Sequence, residues 1–185
     1  MERTIFFHED DHGQLELLPI EAWAYCQQEM GLVADFAQAH AVPGEYSDIY
    51  LRGAGGDIAA LSLSFACLVE VVTPIWPAFD RVETGYGSCR KEAQHTRAFG
   101  VNGNLALFCS VNEQETVEEL WLALVIKDEQ QLADVKRVLA AIAALAPLLL
   151  TDWNELTCMP LSDKGAVEQY LEGLLVLWQE WEASR

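Results

Sequence analysis

The chain has 185 residues, of which 51% are hydrophobic, and its 29 acidic against 11 basic residues give a formal net charge of −18. Disordered acidic tails combine such charge with few apolar residues; here six Trp, seven Phe and five Tyr supply a core, so the acids belong on the skin of a folded body. That skin repels nucleic acid and anionic membrane and attracts basic proteins over about a Debye length.

In chain order, Thr4–His8 and Gln14–Leu18 are short apolar runs separated by the polar turn Glu9-Asp10-Asp11-His12-Gly13. This pattern predicts an opening β-hairpin with a loop of about five residues. Pro19 suits the first turn of a helix. Ile20, Trp23, Cys26, Met30, Val33 and Ala37 then mark one face of an amphipathic helix running to about His40, ended by Pro43-Gly44. Asp48–Arg52 reads as a strand leading into the glycine-rich turn Gly53-Ala54-Gly55-Gly56. Residues 57–76 fit two periods. Leu61, Leu63, Phe65, Cys67, Val69 and Val71 alternate as in a strand, whereas Ile58, Leu61, Phe65, Leu68, Val72 and Ile75 fit a helix capped by Asp57. Length favours the helix.

Asp80–Tyr86 and Leu105–Val111 are further expected strands, and the unbroken run Leu120–Ile126 predicts a strand buried on both faces. Asp128 with Gln131 forms a capping box for a helix whose stripe is Leu132, Val135, Leu139, Ile142 and Leu145, stopped by Pro147. Leu148–Trp153 is a strand with Leu156–Leu161 as its partner. Ala166, Tyr170, Leu174, Leu177, Trp178 and Trp181 mark a C-terminal helix. The expected class is α+β: one domain over 1–185, with a mixed or antiparallel sheet packed by three to four helices. At this length roughly 70% of the unfolded surface can be buried, so no metal or disulfide is needed to complete the core.

The acidic start lacks the bases and the long apolar run of a signal peptide. The longest apolar stretch, Val138–Leu150, is interrupted by Pro147 and is too short to span a membrane. Cys26, Cys67, Cys89, Cys109 and Cys158 are odd in number and scattered. They read as buried small hydrophobes of a reducing compartment, and the expected location is the cytoplasm. No CxxC or HxxxH spacing offers zinc ligands.

Four constellations are candidates for chemistry. His8-Glu9-Asp10-Asp11-His12 could hold a divalent metal, but a solvated loop tip is the better reading of Asp- and Gly-rich turn sequence. Gly53–Asp57 sits between a strand and a helix, yet Ile58 replaces the third glycine of a dinucleotide loop, no Lys-Ser or Lys-Thr follows, and Asp57 would oppose a phosphate. The glycines there read as a tight turn with positive φ. Cys89 and His95 lack an orienting third group, and Gly85-Tyr86-Gly87-Ser88-Cys89 is not a nucleophile elbow. Arg90, Lys91, His95 and Arg97 form one basic island, read as an ion-pair network with acidic faces or an edge for self-association. Among the tryptophans, Trp23 and Trp121 are expected in the core; Trp178 and Trp181 either finish the core, the favoured reading, or form an anchor rimmed by Glu180 and Glu182.

The excess charge is uneven: residues 1–50, 51–100 and 101–185 carry −9, 0 and −9. This acidic α+β chain, with its loop His8–His12, the run Glu16-Leu17-Leu18-Pro19 and the pair Asp152-Trp153, resembles bacterial immunity proteins in type. The resemblance implies a binding protein that neutralises a basic toxin or effector by occluding its active site, as a monomer or homodimer. It implies no catalytic residue, metal, cofactor, nucleic acid or membrane. Glu9, Asp10 and Asp11, and separately the group of Glu113 with Glu115, Glu118 and Glu119, are the expected partner-binding carboxylates. One interface of about 800 Å² per partner cannot cover both thirds, so one set is expected to dominate. The rival readings are a metal- or carboxylate-dependent enzyme using the His8–His12 cluster and a structural or regulatory homodimer.

Overall fold

The computed structural model describes residues 2–42, 45–46, 48–53, 55–86 and 88–185. The Pro43-Gly44 stop, together with Ala54 and Gly87 of the two glycine-rich turns, lies outside them. In chain order the elements are β1 (Thr4–His8), β2 (Leu15–Pro19), α1 (Trp23–His40), the short pair β3 (Ala41–Val42) and β4 (Glu45–Tyr46), α2 (Phe65–Val72), β5 (Arg81–Tyr86), β6 (Cys89–Glu92), β7 (Thr96–Asn102), β8 (Leu105–Val111), β9 (Val117–Leu124), α3 (Glu129–Ala143), β10 (Leu148–Asp152), β11 (Thr157–Pro160) and α4 (Lys164–Ala183). The class is α+β.

An antiparallel six-stranded sheet, ordered β11-β10-β2-β9-β8-β7, organises the molecule. Alternation along its strands divides the side chains between two faces. Leu15 and Leu17 of β2, Leu120 and Leu122 of β9, Leu107 and Cys109 of β8, and Leu148 and Leu150 of β10 join one large core with buried residues of α2, α3 and α4. The opposite face is covered twice. At one end α1 and the turn before it pack Ala22, Cys26 and Met30 on Leu18, Leu149 and Trp153. At the other end a smaller mixed sheet, β1-β5-β6, lays Ile5 and Val82 over Ala98, Phe108 and Trp121. Between these two covers the middle of the large sheet is left open.

The expected opening hairpin does not form. β1 runs parallel to β5, pairing Thr4 with Arg81 through His8 with Gly85, while β2 lies between β10 and β9. The reason is burial: β2 carries apolar side chains on both faces, and inside the large sheet Leu15 and Leu17 are covered by the main core while Leu18 is covered by α1. Residues 9–11 form a 3-10 turn that carries the chain from one sheet to the other. The single expected sheet is accordingly two, plus the short pair β3–β4.

Residues 57–76 also divide. A 3-10 turn over Ile58–Leu61 precedes α2, whose N-cap is Ser64 accepting from the Cys67 amide, while Asp57 makes no cap. Ser62, at φ 51°, breaks the continuous helix that periodicity predicts. Residues 48–52 are not a strand; 48–53 and 55–57 form an irregular strap across the open middle of the sheet. Trp23, expected in the core, is 41% exposed, because the buried stripe of α1 runs through Cys26, Glu29 and Met30. Trp121 is buried as expected, and Trp178 and Trp181 meet at 4.7 Å with their rings tilted by 41° at a partly exposed face of α4. Of the cysteines, Cys26 and Cys109 are buried, whereas Cys67 and Cys89 are exposed because they fall off the α2 stripe and on the edge strand β6.

Among the described residues, no helix is long and apolar enough to cross a membrane.

Candidate functional site: an acidic cleft on the open sheet face

The uncovered middle of the large sheet is the floor of a cleft of about 560 Å³. Its chemistry follows from strand alternation. Leu15 and Leu17 face the helices, so Glu16 between them faces the opening; Leu120 and Leu122 likewise leave Glu119 and Trp121 on that side. Glu16 and Trp121 are direct cross-strand neighbours. The 9–12 turn forms one wall, Tyr25 of α1 another, and the strap closes over the end.

Glu16 is the partly buried carboxylate on the floor of the cleft. Its Oε2 accepts a 2.7 Å hydrogen bond from Trp153 Nε1 and lies 3.5 Å from Arg52. Burial raises its pKa, opposed by the Trp153 bond and the Arg52 charge. Arg52 is fully engaged: its guanidinium stacks 4.2 Å over the Trp153 ring and donates at 2.7 Å to the Gly13 carbonyl. His12 meets Trp121 edge-on at 4.5 Å, with Nε2 3.5 Å from Glu119 Oε2, which also accepts from the Ser110 hydroxyl. The bond to Glu119 raises the His12 pKa above its ordinary 6.5 despite burial, and lowers that of Glu119.

The strap is held by α1. Glu29 Oε1 accepts from the Tyr50 hydroxyl at 3.0 Å and from the Gly53 amide at 3.2 Å, and the Tyr25 hydroxyl donates to the Gly53 carbonyl at 2.7 Å. Glu29 is therefore buried with both donors satisfied. Gly56 is a glycine for want of space, since a Cβ there would sit 2.9 Å from Pro19 Cδ and 3.0 Å from the Ala22 Cβ. The expected positive φ is not found at Gly53, Gly55 or Gly56. The described residues of the segment are packed as a strap.

The structure rearranges the two expected carboxylate sets. Glu9, Asp10, Glu118 and Glu119 all line this one cleft, although half come from the 9–12 turn and half from β9. Asp11 points to the neighbouring groove beside Phe6 and Asn104. Glu115, at φ 56°, turns away to pair with Arg97 at 3.7 Å. Lys91 pairs with Glu9 at 3.0 Å and Arg90 stacks over Phe6, so the basic island is spent on ion pairs and ring contacts. Asp10 takes a 2.9 Å bond from the Tyr86 hydroxyl. The His8–His12 cluster does not converge. His8 packs on Tyr86 while His12 packs on Trp121, because the 3-10 turn replaces the extended period of two. Among the described residues, no group of three or more His, Cys, Asp or Glu is placed to hold a metal ion.

Sequence reasoning named the rim of this cleft but missed Glu16, Glu29, Tyr25 and Arg52. The available signal was a carboxylate interrupting an apolar run: Glu16 within Leu15-Glu16-Leu17-Leu18, and Glu29 within the stripe from Cys26 to Met30. The pair Asp152-Trp153 divides across the sheet. Trp153 serves Glu16, whereas Asp152 accepts from the Tyr170 hydroxyl at 2.6 Å and from the amides of Asn154 and Glu155. Comparison with known proteins returns no matching family model, no matching curated protein and no matching solved structure.

Proposed function

We propose that this protein is an acidic binding domain of the immunity type, which captures a basic toxin or effector domain and occludes its active site. The cleft receives Lys or Arg side chains from the partner. The observation that carries the reading is the convergence of Glu9, Asp10, Glu118 and Glu119, drawn from both acidic thirds, on one opening. Arg52 is already committed to Trp153, Glu16 and the Gly13 carbonyl. Against the four rim carboxylates stand, among the described residues, Lys91 on Glu9, His8 on Asp10 and His12 on Glu119, so the rim keeps a net negative charge. Exposed rim carboxylates steer a basic partner and raise its association rate. Deeper in the opening, where water is partly excluded, one charge pair is worth more than on the open surface. The protein acts by covering its partner.

Two charge-reversed variants test this: Glu9→Lys with Asp10→Lys, and Glu118→Lys with Glu119→Lys. Each is used as bait in a pull-down from the native host beside the unaltered protein. A basic protein retained by the unaltered bait and lost by both variants, with Glu113→Lys/Glu115→Lys retaining it, is the expected result. Retention by both cleft variants, or a neutral or acidic captured protein, overturns the reading.

A further inference from the structure

Away from the cleft, three side chains meet where α1 crosses the sheet. Cys26 comes from α1, Thr151 from β10 and Cys158 from β11, and Thr151 and Cys158 are direct cross-strand neighbours. Thr151 Oγ1 lies 3.8 Å from Cys26 Sγ and 3.4 Å from Cys158 Sγ. Cys158 packs against the same buried cluster as Cys26, so the two sulfurs share Thr151 as a common neighbour. Cys26 and Thr151 are wholly buried, while Cys158 reaches solvent in part.

The two thiols therefore differ in character. The neighbouring Cys26 thiol, with the contact from Thr151, holds the Cys158 thiol down at about 7, below its ordinary 9.0, against its own partial burial. The neighbouring Cys158 sulfur, with burial, pushes Cys26 up. A partly exposed, readily ionised thiol beside a buried protonated one is the arrangement of an attacking and a resolving cysteine. By contrast, Cys109 is pushed up to about 12 by burial and is inert.

We propose that Cys26 and Cys158 are an oxidisable dithiol that closes to an intramolecular disulfide by exchange with a low-molecular-weight disulfide such as oxidised glutathione. The Cys158 thiolate attacks one sulfur of that disulfide; the new S–S bond forms as the old one breaks, and one small thiolate leaves. Cys26 then gives its proton to solvent, and its sulfur attacks Cys158 Sγ, expelling the second small thiolate. The two cysteine sulfurs lose two electrons in all, and the small disulfide is reduced to two thiols. The bond ties α1 to β11. It thereby fixes the helix whose Tyr25 and Glu29 hold the strap, whatever occupies the cleft.

The test uses the full chain carrying Cys67→Ser and Cys89→Ser, which removes the two exposed thiols. After incubation with oxidised glutathione near neutral pH, remaining thiols are alkylated and peptides are mapped by mass without reduction. The expected result is loss of two thiols, a linked Cys26–Cys158 peptide and no retained glutathione. Adding Cys26→Ser should trap glutathione on Cys158, and adding Cys158→Ser should leave Cys26 unmodified. The rate of closure should rise with pH around a midpoint near 7. A stable glutathione adduct on Cys158 in the protein that keeps Cys26, or a midpoint near 9, overturns the assignment; because that protein retains both cysteines, a misfolded serine variant cannot mask either outcome.

Discussion

His12 and Glu119 show how two ordinary surface residues gain a defined pH response from their setting. The His12 ring rests on Trp121, and its bond to Glu119 favours the imidazolium, so its folded pKa lies above the ordinary 6.5. A raised basic group stabilises the fold fully below its unfolded pKa and loses that contribution as pH rises through the folded value. Glu119, lowered by the same bond, requires pH above its ordinary 4.5 and loses its contribution as pH falls through the lowered value. These are two descriptions of one interaction, which is at full strength between those limits. The side chains are 42% and 57% exposed, so solvent screens the pair. Replacing Glu119 with Gln, which can still accept from Ser110, should therefore cost under about 1 kcal/mol in thermal denaturation between about pH 5 and 6. The difference should shrink to nothing by about pH 9, once His12 is neutral in both proteins. A cost that grows with pH would show that the pair is not the source.

At the scale of elements, the strap is the part of the cleft most dependent on a few contacts. Residues 48–53 have no strand to join and are tied to α1 through Tyr25 and Glu29. Glu29→Ala removes an acceptor shared by the Tyr50 hydroxyl and the Gly53 amide, two donors that water can reach in part. The expected cost is about 0.5–1.5 kcal/mol in denaturant unfolding, with faster proteolysis between residues 48 and 57 than elsewhere. Unchanged stability and an unchanged cleavage pattern would mean the strap is anchored by other contacts. The same scale shows which elements the sequence discloses. The α3 boundaries were readable because Asp128 caps the Gln131 amide at 2.8 Å, while Gln131 reaches back to the Lys127 amide, a local reciprocal pair. β8, β9 and β10 were readable as long apolar runs bounded by turns, and β11 as the near partner of β10. β1 and β2 each show strand character, but their partners lie at Arg81–Gly85 and Leu148–Asp152, far along the chain. Pairing at such distance is decided by which faces must be buried, and a local hairpin signal carries no information on that.

The whole molecule joins what the chain separates. The two acidic thirds look like two surfaces in sequence, with a neutral middle between them. Folding places β2 beside β9, so the 9–12 turn and Glu118-Glu119 open onto the same cleft, while bases of the neutral middle third are drawn into pairs such as Lys91 with Glu9 and Arg97 with Glu115. Rim charges of one sign around one opening act together on a diffusing partner, whereas an acid outside the opening contributes only its share of the distant field. The kinetics of capture report that difference. The most direct measurement is the association rate of the recovered basic partner, followed by stopped flow across a salt series. Binding through this cleft predicts that association slows steeply with salt while dissociation changes little. Either pair, Glu9→Lys/Asp10→Lys or Glu118→Lys/Glu119→Lys, should slow association by about ten-fold or more at low salt, and Glu113→Lys/Glu115→Lys much less. Association indifferent to salt, or slowed as much by the Glu113/Glu115 reversal as by the cleft reversals, would contradict it.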